Sequence, residues 1–228
     1  MKILVISSNL IGDTILSTGI VDHFLKNNPN SRFTFIIGPT AGQIYQHFPN
    51  LEKIILIKKE KFNTHWLKIY LHSWNIKWDI IVDLRSSFLS FLLFHKKKYI
   101  FKKDKNKHHL DQLISFFRSN DSDLNIYTSR EEEDIVENKL NPENIYVVIF
   151  PGGNWKPKIW PSNNYNQLIK KLVKNFSNMK FLIVGSADEE DLYLNPIKKN
   201  IPEDKIINLM GISLTLTSAY MKKSNLFI

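Results

Sequence analysis

Cysteine is absent from this 228-residue chain, which excludes disulfides, thiolate metal ligands and a thiol nucleophile. That absence does not by itself distinguish one cellular compartment from another. Long apolar runs are also missing, since no window approaches the ~18–20 residues a membrane-spanning helix requires. The opening Met1-Lys2-Ile3-Leu4-Val5-Ile6-Ser7 has a single Lys and too short an apolar segment for a secretory signal, with no small-residue cleavage site. It reads as a strand, and a cytoplasmic chain is expected. No carboxylate or histidine cluster has the spacing of metal ligands; the seven histidines are scattered or gathered in one basic segment. A Gly-x-Gly-x-x-Gly fingerprint is lacking after the first strand, which argues against a dinucleotide-dependent oxidoreductase.

What is present suits a packed protein. Hydrophobic residues make up 43% and aromatics 12%, enough for a core and unlike a disordered chain. The length allows one large domain or two small ones. The formal charge is +9, from 31 basic against 22 acidic side chains. Such a surplus suits anionic partners: phosphorylated substrates, an anionic membrane face or nucleic acid. Nucleic acid is not the expected partner, because the aromatics of the basic segment read as strand core and not as base-stacking platforms.

Along the chain, apolar β-type runs alternate with helical patterns. Strands are expected at 2–7, 32–38, 53–57 and 79–84, with helices between them, the first running to about Asn28. Ile15, Leu16, Ile20, Phe24 and Leu25 fall on its helical spacing. Residues 87–94 read as helical, and His95–His109 carries seven lysines and three histidines against one Asp. That segment fits a solvated loop around a short edge strand at 99–101, or a docking surface for an anionic acceptor or lipid headgroups. An acidic helix is expected at 130–140, followed by a turn at 141–144. The rhythm then restarts with strand 145–150, helix 162–175, strand 180–184, a helix to about Lys199, a strand near 206–209 and a helix at 214–222. Alternating strands and helices point to parallel βαβ units.

The loop after strand 145–150 reads Phe150-Pro151-Gly152-Gly153-Asn154-Trp155-Lys156-Pro157-Lys158-Ile159-Trp160-Pro161. Adjacent glycines let backbone approach a ligand, lysines supply cations, and the next helix offers free N–H groups, all ingredients of a phosphate site. The same residues also fit a plain turn with Trp160 in the core and Ser162 as N-cap.

Two βα series, each opening on a strand and a small-residue loop, suggest a GT-B arrangement, and four ordered motifs extend the likeness. Leu4-Val5-Ile6-Ser7-Ser8-Asn9-Leu10-Ile11-Gly12-Asp13 resembles the opening of glycosyltransferase family 9, which includes the ADP-heptose:lipopolysaccharide heptosyltransferases. Phe150–Asn154 followed by Lys158-Ile159-Trp160-Pro161 resembles the Pro-Gly turn and Lys-x-Trp-Pro motif of that family's second domain. Val184-Gly185-Ser186-Ala187-Asp188-Glu189 and Asn208-Leu209-Met210-Gly211 resemble its next two loops. The implied fold is α/β and GT-B-like, with two Rossmann-like parallel-sheet domains, the second incomplete. Residues 1–140 would form the acceptor-side domain and 141–228 part of the nucleotide-sugar domain.

The resemblance implies inverting transfer of heptose, or a similar sugar, from an ADP-heptose-like nucleotide sugar to an anionic lipid-linked saccharide of the lipopolysaccharide-core type. It further implies peripheral contact at the inner membrane face and no resident metal or cofactor. An inverting transfer needs a carboxylate to deprotonate the acceptor hydroxyl, and Asp13 is the candidate; complementing the first helix turn is its other reading. Lys158 would stabilise the departing diphosphate, or stand as a surface lysine. Gly152, Gly153 and Asn154 would approach the donor. Glu189 would meet its ribose or simply serve a helix start, and Ile212 would pack on adenine or belong to the core. Gly12, Lys105, Lys107 and His109 are the acceptor-side candidates. Family members continue past Asn225-Leu226-Phe227-Ile228 into an Asp-Ser-Gly-x-x-His stretch that helps hold the donor phosphates. The expectation is therefore a truncated member with impaired donor binding; the alternative is an inactive remnant or accessory protein that binds anionic lipid or saccharide.

Overall fold

Burial on both faces of the strands sets the architecture, because only parallel sheets covered on both sides keep such apolar runs from water. The computed structural model describes residues 1–58, 64–117, 124–153 and 155–228 and divides into two units, Met1–Tyr127 and Thr128–Ile228. The first contains β1 (Lys2–Ile6), α1 (Ile11–Asn27), β2 (Arg32–Ile37), α2 (Pro39–Gly42), β3 (Leu51–Leu56) and α3 (Thr64–Ser73). β4 (Trp78–Asp83), α4 (Leu89–Leu92), β5 (His95–Ile100) and α5 (His109–Phe117) complete it. Its sheet is parallel throughout, in the order β3-β2-β1-β4-β5.

Alternation along the strands divides the core into two layers. Ile3 and Val5 join Phe33, Phe35 and Ile37 beneath α1, whereas Leu4, Ile6, Ile36 and Ile81 pack with Ile69 of α3 and Leu89 of α4. Each fully buried aliphatic side chain contributes about 1.5–3 kcal/mol. Aromatic rings close the α1 layer: Phe35 stacks on Tyr45 at 4.1 Å, and Phe48 meets Tyr127 edge-on at 5.4 Å. The Tyr127 hydroxyl donates to the buried Asp22 carboxylate at 2.7 Å, and burial together with that carboxylate pushes its pKa up to about 12.

The second unit contains α6 (Arg130–Lys139), β6 (Ile145–Ile149), α7 (Ser162–Asn175), β7 (Met179–Gly185), α8 (Asn195–Lys198), β8 (Ile206–Met210), α9 (Leu214–Lys222) and β9 (Leu226–Phe227). Its sheet is also parallel, in the order β8-β7-β6-β9. β9 pairs with β6, Val147 opposite Leu226, which is the neighbour a doubly wound order assigns to the strand at 225–228.

Three local expectations change. The segment 87–94 forms only the short α4, because Leu93 is already extended and β5 starts at His95. β5 is longer than a 99–101 strand and carries Lys96, Lys97 and Lys98, which an edge strand tolerates. After β7 the chain makes a 3-10 turn and a π turn before the short α8, since Pro196 lacks the N–H that a continuous helix would use. Helix α6 lies in the second unit, not with residues 1–140. Its Val136 is fully buried against Tyr146, Val148 and Tyr220.

Glu132 fastens α6. Its carboxylate accepts from the Ser129 N–H at 3.2 Å, closing a capping box, and from the hydroxyls of Thr215 at 2.6 Å and Ser213 at 3.2 Å. Glu132→Ala removes the box and the acceptor of the buried Thr215 hydroxyl, leaving it only the Ser213 hydroxyl at 3.2 Å. It should lower the unfolding free energy by about 2 kcal/mol, read as a shifted urea midpoint with unchanged slope.

Candidate functional site

In the first unit the chain leaves β1 and β4 at the same sheet edge, and the loops there enclose a cavity of about 230 Å³. Asp13 and Ser17 of α1 line it, with Ser8 from the loop before that helix. Arg85 and Ser86 enter from the loop after β4, and Lys103 and His109 from the segment after β5. Ser8 Oγ accepts from the Leu10 N–H at 3.1 Å and lies 3.5 Å from Asp13 Oδ2. Asp13, half-buried in the first turn of α1, also complements the positive end of the helix dipole.

The loop after β4 is shaped by Asp83, whose fully buried carboxylate accepts from the N–H groups of Arg85 (2.9 Å) and Ser87 (2.7 Å) and from the Ser87 hydroxyl (3.1 Å). Ser86 takes a positive φ of 53° and donates its hydroxyl to the Phe101 carbonyl at 2.7 Å. Arg85 is thereby aimed at the β1 loop, where its guanidinium donates to Asn9 Oδ1 at 3.2 Å. Burial lowers the Arg85 pKa from its ordinary value, and Asp83 opposes that effect. Asn9 is itself seated on Gly38, where an added methyl group would lie 2.9 Å from the Asn9 Cα.

The basic segment is organised from beneath. Buried Gln112 accepts from the Asp104 N–H at 2.6 Å and donates to the carbonyls of Asp104 and Lys107, both at 2.8 Å. The loop is thus tied down, and not merely solvated. It sends Lys103 to the cavity, while Lys105 is exposed outside it and Lys107 points to Asp104 at 3.8 Å. His109 packs edge-on to Phe101 at 5.6 Å, and its buried Nδ1 has no hydrogen-bond partner among the described residues.

In the second unit the loops after β6, β7 and β8 meet. Gly152 lies so close to Glu189 that a methyl group there would fall 2.8 Å from Glu189 Oε2. Glu189 closes a capping box with Ser186, accepting from its N–H at 3.4 Å. Gly211, at φ +82°, packs on Ala187, where a methyl group would lie 2.9 Å from Ala187 Cβ. Gly153 meets only Ile159 within 4 Å of such a methyl group. Lys158 sits in a 3-10 turn, exposed, with Nζ 5.3 Å from the Trp155 ring centroid. Asn154 lies outside the described residues.

This architecture can be compared with known proteins. No protein-family model and no curated protein matches the sequence. Solved structures do. The glycosyl transferase family 9 protein from Veillonella parvula is 20% identical with a TM-score of 0.76, covering 99% of this chain and 74% of that one. E. coli ADP-heptose lps heptosyltransferase II is 17% identical with a TM-score of 0.74, covering 100% of this chain and 78% of that one. E. coli heptosyltransferase WaaC with ADP is 14% identical with a TM-score of 0.73, covering 100% of this chain and 80% of that one. The fold is α/β with two parallel sheets and matches these GT-B-like glycosyltransferase structures.

Within that GT-B-like fold the sequence candidates separate into groups. Asp13 and His109 share one cavity, with Gly12 exposed beside Asp13 and open space around it. Gly152 and Glu189 share a second place, with Lys158 on the turn that follows. Ile212 packs partly buried against the α6–α9 layer of the core. Trp160 is not a core plug: it is 42% exposed and stands edge-on to Tyr165 at 4.8 Å. Ser162 begins α7 without capping it, Pro161 holding that position. Arg85 and Asn9 were not singled out from the sequence, although Arg85 follows a strand's carboxyl end, where ligands of open α/β sheets bind.

Two glycine substitutions test this geometry. Gly38→Ala forces Asn9 backbone to move and should cost about 1–3 kcal/mol. Gly12→Ala, in open helical surroundings, should stabilise by about 0.5–1 kcal/mol. Thermal melts of the two variants should shift in opposite directions.

Proposed function

We propose that the protein is an inverting glycosyltransferase that moves heptose, or a similar sugar, from a nucleotide-sugar donor to a hydroxyl of an anionic saccharide acceptor. The observation that carries the reading is the placement of Asp13, a carboxylate at the wall of a cavity otherwise furnished with Arg85, Lys103 and His109. Cations there suit an acidic acceptor, and His109 lines the same cavity. Support for the reaction class comes from solved structures with this fold whose names specify heptosyl transfer and, for one, bound ADP.

In the proposed reaction Asp13 accepts the proton of the acceptor hydroxyl as its oxygen attacks the anomeric carbon of the donor. The new C–O bond forms on the face opposite the breaking bond to the diphosphate, so configuration inverts. The nucleoside diphosphate departs with the bonding pair. Lys158 is assigned the charge that develops on it, and the Gly152-Gly153 turn the close backbone approach. Glu189 is assigned the ribose hydroxyls, which its Oε1 can accept while Oε2 keeps the Ser186 N–H. No resident metal or cofactor takes part in this scheme.

Asp13→Asn keeps shape and removes the base. With ADP-heptose and a lipopolysaccharide-core acceptor, the variant should lose about 10²–10⁴-fold in kcat while the melting temperature falls by only a few degrees, the helix-dipole contribution of about 0.3–1 kcal/mol. Equal turnover by the two proteins would remove Asp13 from the mechanism. Lack of any transfer by the unmodified chain, together with retained acceptor binding, would favour the accessory-protein alternative.

A further inference from the structure

The proposed transfer gives Arg85 no individual role, although the first unit fixes that side chain at three points. Its backbone is set by the fully buried Asp83 carboxylate, which accepts from the N–H groups of Arg85 at 2.9 Å and Ser87 at 2.7 Å. The ring of Trp66 on α3 lies beneath it, with the centroid 5.6 Å from the guanidinium carbon. Asn9 Oδ1 accepts from Nη1 at 3.2 Å. Asn9 has no room to retreat toward Gly38, where even an added methyl group would fall 2.9 Å from the Asn9 Cα. An exposed arginine ordinarily samples many rotamers; this one starts from few, so little entropy is lost when a ligand binds it.

Among the described residues the guanidinium makes one hydrogen bond, to Asn9, and no carboxylate forms an ion pair with it. Asp83, whose charge supports it, has its own oxygens committed to three donors of the loop. Burial meanwhile draws the Arg85 pKa below its ordinary value, the direction of a cation short of compensating charge. The ligand that completes such a site is an oxyanion, and the fork selects its shape. With one face turned to the indole, the guanidinium keeps in-plane N–H groups for two parallel bonds, the geometry that suits a carboxylate. Lys103 lines the same cavity but is a point charge without that fork. Asp13 stands on the wall of the same space, about 230 Å³ in volume, so a sugar held at Arg85 through a carboxylate can present a hydroxyl to Asp13.

We propose that Arg85 is a specificity-determining residue, whose guanidinium takes a carboxylate of an acidic sugar in a two-point contact and so orients the acceptor hydroxyl toward Asp13. This rests on the reading of the cavity as the acceptor site. Calorimetric titration of the whole chain tests it without sugar transfer, using three probes. They are a deacylated lipopolysaccharide-core saccharide, the same saccharide with its carboxyl groups reduced to alcohols, and the same saccharide dephosphorylated. The unmodified chain should bind the carboxyl-reduced probe about tenfold to a hundredfold more weakly than the native one, a larger loss than dephosphorylation causes. Arg85→Gln should lose the same factor on the native probe and nothing on the carboxyl-reduced one. Arg85→Lys, which keeps the charge without the fork, should recover only part of it. Both variants should retain a cooperative melt. In steady-state transfer Arg85→Gln should raise KM for the native acceptor by that factor, whereas Asp13→Asn should lower kcat and leave the discrimination between probes intact. Equal binding of the native and carboxyl-reduced probes would overturn the assignment even where transfer proceeds. So would an equal loss on both in Arg85→Gln, the mark of a residue that only holds Asn9. A larger loss on dephosphorylation would place a phosphate at Arg85 and overturn it as well. Discrimination without any transfer would keep Arg85 as a carboxylate-binding residue and count against the transferase reading alone; no binding of any probe would overturn both.

Discussion

Strands β1 and β6 lie inside their sheets, each with a parallel neighbour on either side and nearly every residue removed from water on both faces. A parallel ladder sends all its strands the same way, so every strand-to-helix loop of a unit emerges at one edge. The apolar pressure that hides Ile3–Ile6 and Tyr146–Ile149 therefore also collects the polar loops: Ser8, Asp13, Arg85 and Lys103 in one unit, Gly152, Glu189 and Gly211 in the other. Chemistry concentrates at those edges because the interior leaves no other place for it.

Close backbone approach then fixes the loops. Gly38 admits Asn9, Gly152 admits Glu189, and Gly211 admits Ala187, each within a distance that a methyl group would close. In all three cases the glycine serves a contact made by this chain's own residues. Gly12 and Gly153 differ, having room to spare on the side where a side chain would project.

The positive charge is distributed with similar order. The basic segment is split by Gln112, which pins the loop at 104–107 so that Lys103 and His109 turn to the cavity and Lys105 to solvent. β5 places Lys98 over Phe91 on the α4 side, away from that cavity's lining. One run of lysines in sequence thus supplies two separate surfaces. Strand alternation and one buried amide decide which lysine serves which surface.

Most strand positions and the parallel connectivity were determined by the sequence alone, because apolar runs separated by helical spacing have few other solutions, and the GT-B-like character was implied by the two βα series and the resemblance of their loop motifs. The pairing of the strand at 225–228 with that at 145–149 followed from the same order. Local propensity was a poorer guide near 87–100 and 187–199, where Leu93 turns extended beside β5 and Pro196 interrupts a helix. Tertiary structure alone decided which polar residues converge. Arg85 and Asn9 are 76 residues apart and meet only because β1 and β4 are neighbours and Asp83 bends the intervening loop.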